Sequence, residues 1–368
     1  VVIGSGFGGT LAAHALVDAG LRVLLLERGG WVARGPENWA PEAVLDLNPA
    51  VRGGTAYRVR AGGNGRWLYP AHCVGGLSVF YGGVSLRLRE RDFQPDPEIA
   101  GEAGAAWPFG YDDLEAYYAH AERILGVAGV AGEDPTEPRR STPYVAEPGP
   151  LAGISRRIAD AAESLGLHPF RLPLAIHYGA DPARPRCIRC TTCDCFACAI
   201  GAKNDLATVV LPELLRRGLE LRPHTAALRL LAEGGRVVAV ECADRARGGR
   251  VLFAARAFVL AAGALATPHL LLASGLARHN PAGSAIGRYL MRHCNAIVFG
   301  FFPRAPEPEF HKQIGIHDLY FGHRSVARPA GPLGALQQLA TPPAGLVRAS
   351  LPPGLRTLVA PGVRHLTG

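Results

Sequence analysis

The opening residues "VVIGSGFGG" place a G-x-G-x-x-G motif directly after a short apolar strand, Val1–Ile3. The next stretch, "TLAAHALVDAG", has apolar residues at helical spacing, and "LRVLLLERGG" is an apolar strand that ends in Glu27. The order of these features matches a dinucleotide-binding βαβ unit: a strand, a glycine-rich turn, a helix, a second strand and an acidic residue at its end. This order constrains the fold more than any other feature of the chain.

Each part of this motif has a physical role. Gly4 allows the tight turn out of the strand, Gly6 has no Cβ to keep a diphosphate away, and Gly9 lets helix and strand pack closely. The helix amino terminus favours negative charge, and Glu27 is placed to accept hydrogen bonds from ribose hydroxyls. The alternative is a glycine-rich turn in an α/β protein that binds no nucleotide. The predicted contacts here are Gly4, Ser5, Gly6, Phe7, Gly8, Gly9, Glu27 and Arg28.

The segment between Trp31 and Tyr81 indicates flavin rather than nicotinamide as the ligand. A nicotinamide dehydrogenase continues with regular βα repeats, whereas this segment is irregular and rich in glycine. Glycine pairs allow the backbone to lie close to a large planar ligand. The predicted flavin contacts are Gly75, Gly76, Ser78, Gly82 and Gly83.

The middle and the end of the chain predict further elements. Residues 107–127 predict a helix that Asp112 or Asp113 caps, while 128–150, rich in Gly, Pro, Glu and Thr, predict a linker. A short helix is expected over 154–165, a second after 205, and strands on both sides of Gly234–Gly235. The strand over 258–262 is expected to return to the first βαβ unit and make the cofactor domain discontinuous. The predicted buried face of the first helix is Leu114, Tyr117, Tyr118, Ala121, Ile124 and Leu125.

Charge and hydropathy exclude several function classes. The formal net charge is +8, but the basic residues are scattered arginines and lysine occurs only at 203 and 312, so nucleic-acid binding is not expected. No apolar run approaches the roughly 20 residues that cross a bilayer, and no signal peptide is visible. Because the chain begins inside an apolar strand without a Met, the compartment stays unknown, with a cytoplasmic location slightly favoured.

Five motifs together resemble the glucose–methanol–choline (GMC) flavoprotein oxidoreductases, from Val1 to about Gly322. They are "VVIGSGFGG…LLLERG", "VGGLSVFYGGVSLR", "WPFGYDDLEAYY", "GALATPHLLLASGL" and "IGRYLMRH"; the one small departure is Ala277, where the family prefers Gly. The resemblance implies FAD as cofactor and oxidation of a CH–OH group by hydride transfer to flavin N5. It also implies cofactor contacts at Ala227, near adenine, and at Gly263 and Ala264, near the pyrophosphate.

The family's catalytic base is usually a His paired with a second His or Asn near the carboxyl end. The last residues, "PPGLRTLVAPGVRHLTG", match neither that pair nor the flavin-contacting "NP" segment, so the pair is expected beyond Gly368 and the chain is expected to be truncated. His365 is expected at the surface, and for His311, His317 and His323 packing or exposure is favoured over the alternative that they face the substrate cavity. His72, three residues before Gly75, raises the alternative of covalent FAD attachment, as in some family members.

Five cysteines lie close together in "CIRCTTCDCFAC", residues 187–198. One interpretation is an iron–sulfur cluster, although the spacing departs from the ferredoxin pattern. A second is zinc, with four thiolates as ligands. The third and favoured one is a loop of thiols or disulfides that shapes the active-site entrance. The candidate metal ligands are Cys187, Cys190, Cys193 and Cys198.

These observations predict an α/β fold. It consists of a discontinuous FAD/NAD(P)-binding Rossmann-like domain with three layers in the order sheet, sheet, helix (three-layer ββα), and a partial antiparallel-sheet substrate domain. The expected segments are 1–127 and 199–293 for the cofactor domain, 128–198 for linker, helix and Cys-rich loop, and 294–368 for part of the substrate domain. The predicted function is FAD-dependent oxidation of a small-molecule alcohol or sugar, with oxygen, a quinone or a cytochrome as the electron acceptor. The alternative is a non-catalytic dinucleotide-binding or electron-transfer protein, or an inactive fragment.

Overall fold

The computed structural model describes residues 1–52, 56–61, 64–94, 101, 106–179, 181–291, 293, 295–298, 312–322, 333–339 and 354. Residue contacts divide the chain into two compact units. The first unit comprises Val1–Arg34, Glu42–Val79 and Asp205–Val298, and the second comprises Gly35–Pro41, Phe80–Asn204 and Phe299–Gly368. The segment boundaries expected from the sequence stay a prediction, because units of contact need not coincide with domains of function.

The strands are numbered in chain order. They are β1 (Val2–Ile3), β2 (Leu24–Leu26), β3 (Tyr57–Ala61), β4 (Asn64–Leu68), β5 (Pro169–Arg171), β6 (Glu220–Arg222), β7 (Thr225–Glu233), β8 (Arg236–Asp244), β9 (Arg250–Ala254), β10 (Val259–Leu260), β11 (Ile314–Ile316) and β12 (Leu336–Gln337). The helices are α1 (Phe7–Asp18), α2 (Pro49–Arg52), α3 (Tyr111–Leu125), α4 (Gly153–Ser164), α5 (Val210–Arg216) and α6 (Gly263–Ala273).

A parallel sheet in the order β10-β1-β2-β6 forms the centre of the first unit. Strands β1, β2 and β10 are short and wholly apolar, and Val2, Leu25 and Leu26 are buried, as expected for strands covered on both faces; β6, at the edge, has the sequence Glu-Leu-Arg. Helix α1 connects β1 to β2, which completes the predicted βαβ unit. The predicted return of the late strand is confirmed, because β10 pairs in parallel with β1.

An antiparallel sheet, β7-β8-β9, forms the second layer of this unit. The β7–β8 turn is Gly234–Gly235, with φ of 56° and 79°, the left-handed geometry that two-residue hairpins favour. Ile3 and Leu26 of the parallel sheet pack with Leu230 and Val240 of this second sheet in one buried cluster. Helix α1 contacts β1 and β10 and, among the described residues, adds nothing to that cluster. The predicted three-layer ββα arrangement is therefore confirmed.

The second unit has its own antiparallel sheet, in the order β12-β11-β5. Ile314 of β11 lies opposite Arg171 of β5, and Ile316 lies opposite Leu336 of β12. The sheet matches the partial antiparallel sheet expected from the sequence, and helix α4 lies within a residue of its expected position.

The buried face of α3 differs from the predicted one. The buried residues are Tyr111, Glu115, Ala119, Glu122 and Leu125, whereas Tyr117, expected to be buried, is 71 % exposed. Apolar spacing predicts a different face because the two buried glutamates pair with Arg87, an arginine that lies far away in sequence. Gly110 caps the helix, and Asp113 Oδ2 accepts from its amide at 2.8 Å.

The predicted linker at 128–150 is an ordered part of the second unit. The Ala128 amide donates to Leu174 O at 2.9 Å, and Glu133 Oε1 lies 2.6 Å from Arg171 Nη2. Gly132 and Pro135 lie in turns, and Glu133, Asp134 and Glu137 pair with Arg171, Arg89 and Arg140, respectively. The stretch is thus held by backbone and side-chain contacts, and its role as a linker stays a prediction.

No helix within the described residues is both long enough and apolar enough to cross a membrane.

Candidate dinucleotide-binding site

The first glycine loop, residues 4–9, joins β1 to α1. Gly4 has φ of 102°, a conformation that favours glycine, and a Cβ built on Gly9 would lie 1.8 Å from Gly4 O. A Cβ on Gly6, in contrast, would meet no atom within 4 Å. The roles predicted for these three glycines agree with this geometry: two are required by the fold, and the third borders open space.

The start of α1 is suited to an anion. Gly6 caps the helix without a side chain, and the first turn carries no acidic residue. The positive end of the helix dipole is therefore not compensated by the helix's own side chains. A phosphate at this end, beside the open space at Gly6, would have favourable electrostatics.

Glu27 lies at the end of β2 and is buried, at 7 % exposure. Its Oε2 accepts from the Ser5 amide at 3.1 Å and from Ser5 Oγ at 2.7 Å, and its Oε1 accepts from the Gly29 amide at 2.9 Å. The sequence placed an acid at this position but did not indicate that Ser5 holds it. These bonds fix the orientation of the carboxylate.

The second glycine loop, residues 75–78, lies directly against the first. Gly75 and Gly76 have φ of 86° and 58°, and a Cβ on Gly76 would lie 2.8 Å from Gly6 Cα. Ser78 Oγ donates to Gly75 O at 2.7 Å and accepts from the Leu206 amide at 3.1 Å. The structure therefore brings together two glycine loops that are about 70 residues apart in the chain.

The carboxyl end of β10 borders the first glycine loop, residues 4–9. A Cβ on Gly4 would lie 2.4 Å from Ala261 O, and Gly263 has φ of 85° with open space around it. Gly263 and Ala264, both exposed, begin α6. Ala227 is a half-buried residue of β7, opposite Cys242. The cofactor contacts expected of Gly263, Ala264 and Ala227 stay predictions.

Three other predicted residues have local packing roles. Arg28 Nη1 donates to the Tyr57 hydroxyl at 2.7 Å. Gly82 and Gly83 belong to the second unit, where a Cβ would lie 2.7 Å from Lys312 Cδ and 3.2 Å from Ile176 Cγ1, respectively. Gly83 also has φ of 85°, which favours glycine, and the flavin contacts of Gly82 and Gly83 stay a prediction.

His72 is buried, and its Nε2 has no hydrogen-bond partner among the described residues. Burial, helped by the charge of Arg28, lowers the pKa of His72 to about 4, so the imidazole is neutral at physiological pH. A neutral ring is compatible with the alternative of covalent attachment, which stays open. Of the other histidines, His317 is buried, with Nδ1 2.8 Å from Asp134 Oδ2; His311, His323 and His365 lie outside the described residues.

The cysteines of residues 187–198 are free thiols, without disulfides. Within the described part of the chain, no group of three or more His, Cys, Asp or Glu side chains is arranged to hold a metal ion. Burial raises the pKa of Cys187 to about 11 and that of Cys193 to about 12, so both are protonated at neutral pH. The structure shows no disulfide in this segment, and the iron–sulfur, zinc and thiol-loop interpretations stay predictions.

Lys203 holds this cysteine segment in place, which sequence analysis missed. The side chain is 1 % exposed, and its Nζ donates to the backbone oxygens of Tyr81, Cys193 and Phe196 at 2.8, 3.0 and 2.7 Å. The other lysine, Lys312, pairs with Asp194 of the same segment at 2.7 Å. The rarity of lysine in an arginine-rich chain was a signal that these two positions need a compact ammonium.

Replacing Lys203 with methionine should lower the free energy of unfolding by about 2–3 kcal/mol, because three buried carbonyls lose their donor. Chemical denaturation monitored by circular dichroism measures this change. Lys312→Met is the matched control, and its partly exposed pair should contribute about 1 kcal/mol. Equal effects of the two substitutions would contradict the role assigned to Lys203.

Comparison with known proteins gives consistent matches. Residues 7–295 match the family described as GMC oxidoreductase. The chain is 37 % identical over 280 residues to 6'''-hydroxyparomomycin C oxidase of Streptomyces lividus, covering 74 % of this chain and 49 % of that protein. It is 34 % identical over 311 residues to paromamine 6'-oxidase of Streptomyces fradiae, covering 82 % and 54 %. The chain thus spans about half the length of these curated relatives.

Among solved structures, the chain is similar to an FAD-dependent oxidoreductase from Chaetomium thermophilum. The TM-score is 0.50 at 19 % sequence identity, over 74 % of this chain and 47 % of that one. At this identity the similarity supports the fold alone.

Proposed function

Since this chain belongs to the GMC oxidoreductase family, we propose that it binds FAD and oxidises the CH–OH group of a small alcohol or sugar. The observation that carries the proposal is the contact between two glycine loops beside an oriented acid. Gly6 borders open space, and Gly76 of the second loop lies directly against Gly6. Glu27 is buried at the end of the next strand. In dinucleotide-binding units the glycine turn and the helix amino terminus bind the diphosphate, and the acid binds the ribose.

The residues present fit an FAD group. Gly4, Gly6 and the amino terminus of α1 would hold the diphosphate, because a side chain at Gly6 would occupy the space that the phosphates need. Glu27 would accept from the adenosine ribose. The loop at Gly75 and Gly76 would lie along the flavin side of the diphosphate.

Bound FAD supplies the hydride acceptor for oxidation of the substrate carbon. The residues of this chain contribute by orienting that group: Ser5 holds Glu27, and Ser78 holds the second loop. A general base must also take the hydroxyl proton. The His pair expected beyond Gly368 stays the prediction for that base.

Substrate and electron acceptor are proposed at the level of class. The two curated relatives above are named as oxidases of 6'''-hydroxyparomomycin C and of paromamine, which supports a hydroxyl-bearing sugar or alcohol as the substrate. Oxygen, a quinone and a cytochrome remain separate candidates for reoxidation. Oxygen-consumption and dye-reduction assays with a panel of alcohols and sugars distinguish them.

The test of cofactor binding is Gly6→Ala. Gly6 has φ of −71° and ψ of −171°, which alanine adopts without strain, and the added methyl meets no protein atom. The variant should unfold at the same temperature as the wild type without ligand, yet bind FAD at least about tenfold more weakly, since the methyl lies where the phosphates approach. Fluorescence titration with FAD measures this affinity.

Two outcomes would decide against the proposal. A wild-type protein that shows no flavin absorption and takes up no FAD would refute it. A protein that binds FAD but oxidises none of the alcohols or sugars would favour the non-catalytic alternative.

A further inference from the structure

Ser5, the second residue of the glycine motif, has a side chain without exposure to solvent. Its hydroxyl donates to Glu27 Oε2 at 2.7 Å and accepts from the Gly75 amide at 3.0 Å. A third contact, to Cys73 O, is longer, at 3.5 Å. Because a hydroxyl has one hydrogen, the short bond to Glu27 is the donated one. The hydroxyl therefore joins the acid of β2 to the second glycine loop.

The bonds from Ser5 leave Glu27 with one remaining acceptor position. A carboxylate oxygen carries two lone pairs, and both on Oε2 are used by the amide and the hydroxyl of Ser5. On Oε1 the Gly29 amide uses one. The remaining lone pair on Oε1 is the one available to a ribose hydroxyl, so Ser5 determines which carboxylate oxygen meets the ligand.

The bond to Gly75 places the second loop at a defined distance from the first. Gly76 follows Gly75 and lies so close to Gly6 that a Cβ would come within 2.8 Å of Gly6 Cα. The Ser5 backbone is itself fixed, since Thr10 Oγ1 donates to Ser5 O at 2.7 Å. A shift of the Glu27 carboxylate would therefore be transmitted through Ser5 to the Gly75 amide.

We propose that Ser5 is a positioning residue that couples the ribose-binding acid to the second glycine loop. Through it, the adenosine diphosphate half of the cofactor orders the loop that lies along the flavin half. This inference rests on the proposed FAD function and adds a coupling between the two halves of the site. An alanine at this position would leave the motif intact in sequence, but would remove the link.

The first test is a double-mutant cycle with ADP as the probe, measured by calorimetry. Ser5→Ala should weaken ADP binding about tenfold, which corresponds to about 1.4 kcal/mol, and Glu27→Gln should weaken it at least as much. In the double variant the two losses should not multiply, because Ser5 acts through Glu27. Losses that multiply, or ADP affinity unchanged in Ser5→Ala, would overturn the proposal.

The second test is hydrogen exchange of residues 73–79 with and without ADP. In the wild type ADP should slow exchange in this loop, and in Ser5→Ala it should not. Equal protection in both proteins would show that the loop responds without Ser5. If Ser5→Ala does not fold, the same comparison is made with Glu27→Gln, in which ADP should also fail to protect the loop; protection there would contradict the coupling.

Ser155→Ala is the matched control, since it removes another fully buried serine hydroxyl, one that donates to Gln313 Oε1 at 2.9 Å in the second unit. Its ADP affinity and its loop protection should equal those of the wild type. The proposed function and this inference fail in different ways. A wild type that binds neither ADP nor FAD refutes the first, whereas a binding-competent wild type with an unaffected Ser5→Ala variant refutes the second alone.

Discussion

Gly9→Ala should lower the free energy of unfolding of the protein by more than about 4 kcal/mol, a loss at the top of the range for single substitutions. The added Cβ would lie 1.8 Å from Gly4 O and 2.9 Å from Gly4 C. These are backbone atoms of the β1–α1 turn, so no side-chain rotation relieves the overlap. Helix α1 would have to move away from β1, the centre of the parallel sheet.

Gly8→Ala is the control for Gly9→Ala, because it adds the same methyl to the same turn of α1. Its Cβ would meet only Ala261 Cβ, at 3.8 Å, an ordinary contact. Alanine is preferred over glycine within a helix by about 1 kcal/mol, so this variant should be as stable as the wild type or more so. Thermal and urea unfolding measure both variants, and similar stabilities would show that α1 and β1 are not held at this distance.

Arg87→Met should lower the free energy of unfolding by about 3–5 kcal/mol, which is the cost of removing one partner of a buried ion pair. The Arg87 guanidinium contacts both oxygens of Glu122 at 2.8 Å, and it contacts Glu115 Oε1 at 3.0 Å. It also donates to the Tyr111 hydroxyl at 2.9 Å. Methionine fills part of the volume but leaves Glu115 without its arginine, and Glu122 keeps only Arg140, whose Nη2 lies 2.6 Å from Glu122 Oε2.

The same substitution should change the response to acid. Hydrogen bonds from the Ser141 amide and from Arg87 hold the pKa of Glu115 at about 2, below its ordinary value of 4.5. A depressed carboxyl pKa stabilises the fold above the unfolded-state value, and this stabilisation is lost as pH falls through 4.5 toward 2. Without Arg87 the pKa of Glu115 rises, so the difference in stability between wild type and Arg87→Met should shrink below pH 4.5.

Arg139→Met is the matched control, since Arg139 pairs with Asp112 of the same helix at the surface. Its removal should have no measurable effect on stability, because exposed pairs contribute little. Urea denaturation at pH 7 and pH 3 distinguishes the two variants. If Arg87→Met is no less stable than Arg139→Met at pH 7, the buried ion pairs do not hold α3 in place.

The glycine motif could be interpreted from the sequence because its parts are local. Gly4, Gly6, Gly9 and Glu27 lie within one βαβ unit, where the spacing of the residues fixes the spacing of the atoms. The hairpin at Gly234–Gly235 was predictable for the same reason. The return of β10 to β1 was also predictable, since a late apolar strand followed by a Gly-Ala turn fits the edge of such a sheet.

The sequence by itself determined the ββα layers, the discontinuous cofactor domain and the family, because strand and helix periods and the glycine spacing are short-range signals. Only the tertiary structure decided that Ser5 joins Glu27 to Gly75, that Arg87 buries two glutamates of α3, and that Lys203 holds the cysteine segment. Each of these three side chains forms at least one hydrogen bond with a residue more than 20 positions away in the chain. A buried polar side chain is stable only beside its partner, and no local pattern states where that partner lies.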